Sequence, residues 1–183
     1  MDPGGPPARP RASPPLHVSG EGRVRRVPGS FFPAHEVVFG SEVVAHLGRY
    51  SWWSIYFRRG QRVLLADREW RLAAITRGRA ICPLLVDEEG RRVATTAVGA
   101  RNYGIQGRDF AYVLNPTGPG RPDAWTLWIR DVEEVGVVRR RSLSVFLTDP
   151  VPLAVVLLAW VLVRFGIPGE GPTGVPVISW GPR

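Results

Sequence analysis

The sequence contains no lysine: all 24 basic residues are arginine, against 16 acidic ones, which leaves a formal net charge of +8. Such an excess suits weak association with polyanions or an anionic membrane. A uniform choice of arginine over lysine, however, reads as the coding bias of a GC-rich genome rather than as a phosphate site. Cysteine is nearly absent too. Cys82 stands alone, which excludes an intramolecular disulfide and a cysteine metal cluster; lying before Pro83 in an apolar run, it reads as core packing. The three histidines, His17, His35 and His46, have no HExxH frame or nearby cysteine ligand, so no zinc site is expected. There is no G-x-S-x-G elbow, and Gly118-Pro119-Gly120-Arg121-Pro122 lacks the lysine and following helix of a phosphate loop. No apolar stretch follows Arg25-Arg26 to serve as a signal segment, so a cytoplasmic location is expected. These absences point to a protein that is not an enzyme and that uses no cofactor or metal.

Composition divides the chain into three. Residues 1–32 are rich in Pro, Gly, Arg and Ser with almost no large apolar side chain. Burial there cannot offset the entropy of ordering, so a disordered tail is expected; within it Pro7-Ala8-Arg9-Pro10 fits a minimal PxxP pattern beside arginine. Residues 169–183 form a second Gly/Pro-rich tail, in which Val175, Val177, Ile178 and Trp180 offer a possible edge strand. Between the tails, residues 33–168 show short β-branched and aromatic runs punctuated every 8 to 12 residues by turn signals, the pattern of an all-β sandwich or barrel. The runs are His35–Phe39, Glu42–Leu47, Trp53–Phe57, Val63–Ala66, Trp70–Ile75, Ala80–Val86, Arg92–Ala97, Gly104–Gln106, Phe110–Leu114, Trp125–Ile129, Glu134–Val138 and Ser142–Leu147. Period-two alternation sets Trp70, Leu72 and Ala74 on one face, and likewise Trp125, Leu127 and Ile129, and Leu143, Val145 and Leu147. Tight turns are expected at Phe39-Gly40-Ser41, Asp87-Glu88-Glu89-Gly90 and Arg130-Asp131-Val132-Glu133.

Val151 to Val163 carries no polar side chain on any face except the indole N–H of Trp160, so this segment must be buried all round, in protein or in lipid. Asp149 as N-cap, Pro150 at the first helical position, Gly166 at the C-terminal stop and Pro168 beyond it predict a helix over about 150–165. Thirteen apolar residues rise about 20 Å, short of a hydrocarbon core of about 30 Å. Length and caps favour a core helix over a tail anchor, and over a buried strand pair. A helix apolar on every face, following about ten or more strands, fits the interior of a closed antiparallel barrel.

The hairpin Leu84-Leu85-Val86-Asp87-Glu88-Glu89-Gly90-Arg91-Arg92-Val93-Ala94, the strand pair Trp125 to Val138 and the ending Leu147-Thr148-Asp149-Pro150-Val151-Pro152-Leu153 before the apolar helix resemble the tubby C-terminal-like superfamily. That group includes the phospholipid scramblases and the LURP-one-related proteins. The resemblance covers residues 33–168 and implies a barrel of about twelve strands around a hydrophobic C-terminal helix. It also implies a partner among membrane phospholipids, phosphoinositides in the tubby domains. No lipid-contacting residue matches by position, and the cysteine-rich segment of animal scramblases is missing.

Two arginine clusters are the candidate contacts: Arg58, Arg59 and Arg62, and Arg139, Arg140 and Arg141. Guanidinium groups pair with phosphate bidentately; Trp52 and Trp53 beside the first cluster offer an interfacial anchor. The expectation is a non-enzymatic barrel that associates with anionic membrane lipid, or with a membrane protein, through an arginine-rich rim. The alternatives are a tail-anchored protein with a β-rich cytosolic domain and, resting on charge alone, a weak non-specific nucleic-acid binder.

Overall fold

The computed structural model describes residues 16–28, 34–48, 61–65, 68–77, 80–99, 102–118 and 123–165. Among them twelve strands close into one antiparallel barrel: β1 (His17–Arg26), β2 (His35–Phe39), β3 (Glu42–Leu47), β4 (Gln61–Leu64), β5 (Glu69–Arg77), β6 (Ala80–Val86), β7 (Arg92–Val98), β8 (Tyr103–Gly107), β9 (Ala111–Pro116), β10 (Ala124–Ile129), β11 (Glu133–Arg139) and β12 (Ser144–Pro152). The helix α1 (Leu153–Phe165) follows directly. Each strand pairs with its sequence neighbours, and β1 closes the ring by pairing with both β2 and β12.

Closure corrects the expected domain boundary, because His17–Arg26 is a strand of the barrel and not part of a disordered tail. Its buried or half-buried positions are Val18, Gly20, Gly22 and Val24, too small to read as an apolar stripe. The small side is required by packing: a Cβ on Gly22 would lie 2.6 Å from the ring of Phe39, which fills that space. Residues 1–15 and 166–183, including the possible edge strand at Val175–Trp180, lie outside the described residues, as does the Trp53–Phe57 run.

Twelve strands about 4.8 Å apart and tilted about 40° enclose a backbone radius of about 12 Å. That radius suits one axial helix about 10–12 Å across, and α1 occupies it. Every residue from Leu153 to Val163 is buried, packed against β6, β7, β8, β11 and β12. Leu153, Leu158 and Leu162 are at most 1% exposed, each contributing about 1.5–3 kcal/mol of burial. The expected inner faces point at α1: Leu72, Leu127, Val145 and Leu147 are buried in one cluster with it, and Trp125 and Ile129 pack against that cluster.

The segment expected to be a core helix is therefore inside the barrel, and no helix among the described residues is long and apolar enough to cross a membrane, as the tail-anchor alternative required. The helix start also differs from expectation. Asp149 and Pro150 do not cap α1; they belong to β12, which runs on to Pro152. Where Ser19 of β1 stands opposite Thr148, Asp149 and Pro150, the register breaks between Val18↔Val151 and Gly20↔Leu147. A bulge is where a strand tolerates proline, because no ladder N–H is needed there. Beyond it the chain reaches the barrel mouth, and the Leu153 N–H donates to the Leu16 carbonyl at 2.7 Å as α1 turns into the axis.

The turns follow the sequence. Gly40 and Gly90 take positive φ (57° and 77°), whereas the β10–β11 turn uses two non-glycine residues, Arg130 (φ 48°) and Asp131 (φ 60°). Pro83, inside β6, marks the end of the β6–β7 ladder, whose pairs run from Leu84↔Thr95 to Val86↔Arg92. The buried Thr96 hydroxyl donates to the Pro83 carbonyl at 2.8 Å and takes the place of the missing ladder contact.

Candidate functional site

An up-and-down barrel sends alternate connections to opposite ends. The ends of β1, β3, β5, β7, β9 and β11 share one mouth with the C-terminus of α1; the ends of the even-numbered strands share the other with its N-terminus. Among the described residues the two mouths carry opposite charge.

At the mouth where α1 ends, Arg25 and Arg26 close β1, Arg139 closes β11, Arg140 and Arg141 form the β11–β12 turn, and Arg164 is exposed in the last turn of α1. Among the described residues two carboxylates lie there, and both hold arginines. Glu36 accepts from Arg25 Nε at 2.9 Å. Asp123 accepts the Arg141 backbone N–H at 3.0 Å and lies 3.8 Å from Arg141 Nε, while its own carbonyl accepts the Arg140 N–H at 2.7 Å. Asp123 thereby ties the arginine turn to the residue before β10 and fixes how it is displayed. Arg26, Arg139 and Arg140 make no ion pair among the described residues.

The opposite mouth is acidic. The β6–β7 turn presents Asp87, Glu88 and Glu89 around Arg91, and the β10–β11 turn with the start of β11 presents Asp131, Glu133 and Glu134 beside Arg130. The Asp87 carboxylate accepts from the Arg91 N–H at 2.8 Å and from Arg91 Nε at 2.7 Å. Partial burial pushes its pKa up, but these bonds and the guanidinium charge outweigh that and hold it below the ordinary value. Glu88 accepts the Glu69 N–H at 2.7 Å, joining two turns of this mouth.

A helix carries a partial positive charge at its N-terminus and a partial negative charge at its C-terminus. Here α1 starts at the acidic mouth and stops at the basic one, so the side-chain charges oppose its dipole at both ends. Buried in a dry barrel, that dipole is poorly screened, and charge segregation along the axis stabilises it.

The six candidate arginines separate accordingly. Arg139, Arg140 and Arg141 stand together on the basic mouth. Arg62 is on β4, five strands from β11 in barrel order. Its Nε donates to Glu69 Oε1 at 2.7 Å and its Nη2 to Oε2. That hydrogen-bonded pair raises the Arg62 pKa and lowers that of Glu69. Arg58 and Arg59, with Trp52 and Trp53, lie outside the described residues. Sequence reasoning did not select Arg23, Arg25, Arg26 or Arg164. The first three sat in the presumed tail, and the last was read only as the end of an apolar run.

His35 lies at the basic mouth, its ring 6.5 Å from that of Trp160. Its Nδ1 is buried without a hydrogen-bond partner, and burial, then Arg26 and Arg164, lower its pKa. His46 is exposed, with Nδ1 3.6 Å from Glu36. Among the described residues no group of three or more His, Cys, Asp or Glu is placed to hold a metal ion. No family model matches the chain, and neither a curated protein nor a solved structure matches it.

Proposed function

We propose that this barrel is a non-enzymatic module that sets its arginine-rich mouth against the anionic face of a membrane. The carrying observation is the charge segregation: Arg25, Arg26, Arg139, Arg140, Arg141 and Arg164 share the mouth where α1 ends, and the clustered carboxylates face away from it. Such a charge arrangement orients the barrel in the field of an anionic leaflet as well as attracting it. The resemblance to tubby-like proteins points to the same class of partner.

Each arginine near an anionic leaflet contributes about 1 kcal/mol. The three charges of Arg26, Arg139 and Arg140, unpaired among the described residues, thus give about 3 kcal/mol, a Kd of several mM, a weak and salt-sensitive attachment. Co-sedimentation with vesicles containing about a third phosphatidylserine tests the reading. The chain is expected in the pellet at low salt and in the supernatant at about 0.5 M salt, where the Debye length falls to a few ångströms. Arg140→Glu with Arg141→Glu should abolish pelleting. No pelleting of the wild type at low salt sinks the proposal, and equal displacement by duplex DNA reduces it to general polyanion binding.

A further inference from the structure

Three outward positions on adjacent strands fall in one row below the basic mouth: Arg23 on β1 pairs with Ser144 on β12, and Ser144 pairs with Arg139 on β11. The next outward row toward the acidic mouth is Glu21, Phe146 and Val137, again in register. Two strand spacings put the two arginine backbones about 10 Å apart, a span that two guanidinium groups reaching inward can close over the serine between them.

Each member of the first row is available. Both arginines are exposed, and neither makes an ion pair among the described residues. Ser144 Oγ lies 2.7 Å from Ser142 Oγ; a hydroxyl pair shares one hydrogen, so one O–H remains to donate outward. Two guanidiniums and a hydroxyl are the donors that a phosphate group's oxygens accept.

The second row differs in kind. Phe146 is 56% exposed, the only aromatic among the exposed large hydrophobic side chains of the described residues. Together with Val137, Ser144, Arg139 and Glu21 it lines a hollow of about 240 Å³. The hollow is too small for a whole drug-sized ligand but roomy enough for a headgroup and its first methylenes. The Glu21 carboxylate flanks the apolar part, so a second anion there is repelled and only one orientation suits: phosphate at Ser144, apolar chain across Phe146.

We infer that Arg23, Ser144 and Arg139 seat a phosphate, and that Phe146 and Val137 contact the apolar chain attached to it, so that this wall of the barrel binds one phospholipid molecule. The inference rests on the membrane-surface reading for where that ligand is met, and supplies the second attachment that weak surface charge needs. The shared chemistry, a phosphate, also belongs to free inorganic phosphate, so the test separates the two.

Binding of dihexanoyl phosphatidic acid, kept below its micelle concentration, is measured on the full chain by calorimetry beside inorganic phosphate. Saturable one-to-one binding is expected, with inorganic phosphate about tenfold weaker or more for want of the Phe146 contact. Arg23→Gln and Phe146→Ser should each weaken lipid binding about tenfold, whereas Glu21→Gln should tighten it severalfold by removing the repulsion. These side chains point outward, so an unchanged urea midpoint shows the barrel intact. No saturable lipid binding, or affinities untouched by both weakening variants, overturns the site. Equal affinity for inorganic phosphate, indifferent to Phe146→Ser, overturns the lipid assignment. Vesicle pelleting without monomer binding leaves the surface reading standing and removes the site; monomer binding without pelleting does the reverse.

Discussion

At one mouth of the barrel Glu36 and Asp123 are held by arginines, and Arg26, Arg139 and Arg140 remain unpaired among the described residues. At the other, the β6–β7 turn and the β10–β11 turn with the start of β11 supply Asp87, Glu88, Glu89, Asp131, Glu133 and Glu134 around Arg91 and Arg130. The same strands build both mouths, so the contrast lies in the connections. The helix spans about 20 Å between them, more than twice the Debye length of about 8 Å at physiological salt. Each mouth therefore presents its own field to a partner, while the helix between them feels both through a dry interior. Net charge misleads here: what matters is a dipole along the barrel axis, set against that of α1.

Emptying the axis should break the comparison most severely. Leu158, at 0% exposure, has no room to relax around a lost side chain, so Leu158→Ala is expected to cost about 2–5 kcal/mol in urea denaturation. Exchanging charge between the mouths comes next. Arg140→Glu with Arg141→Glu should cost about 2–4 kcal/mol of vesicle binding by replacing attraction with repulsion, whereas Asp131→Lys with Glu133→Lys should leave it equal or stronger. If the two pairs act alike, the mouths are not distinct surfaces. Arg164→Glu puts a negative charge at the negative end of α1 and should lower stability by about 0.3–1 kcal/mol, less in high salt.

The smallest effect sharpens the basic mouth by pH. His35 has its folded pKa lowered below 6.5, so between that depressed value and 6.5 the unfolded chain binds more protons than the folded one. Its contribution is fully present above 6.5, declines as pH falls through that window and then levels off. In pH-dependent unfolding, His35→Phe should flatten that part of the profile and leave the separate loss at lower pH, where Glu69 and Asp87 take up protons. An unchanged profile would mean that His35 is not the group responsible.

Much of this was legible residue by residue. His35–Phe39, Glu42–Leu47 and Ala80–Val86 are strands with the bounds that their β-branched and apolar content suggested, and Gly40 and Gly90 sit where positive φ was needed. β1 was not legible, because a strand that makes room for the Phe39 ring over Gly22 must be poor in the side chains that advertise a strand. Asp149-Pro150 misled for a related reason: the residues that cap a helix also suit a bulge, and only the pairing with Ser19 decides between them. Of the candidate site, Arg139–Arg141 was visible as a run. That Arg62 is held by Glu69, and that Arg23 stands beside Ser144, depends on register across strands that no local pattern encodes.

The sequence by itself determined the β-rich class, most strand positions and the burial of Leu153–Val163, since an all-apolar helix too short for a bilayer has few places to go. The tertiary structure alone decided that His17–Arg26 completes the ring and where α1 begins. It also decided which arginines share a mouth, because strand alternation sends residues far apart in the chain to one end and neighbours to opposite ends. Closure and register are non-local, and so is the charge pattern they create.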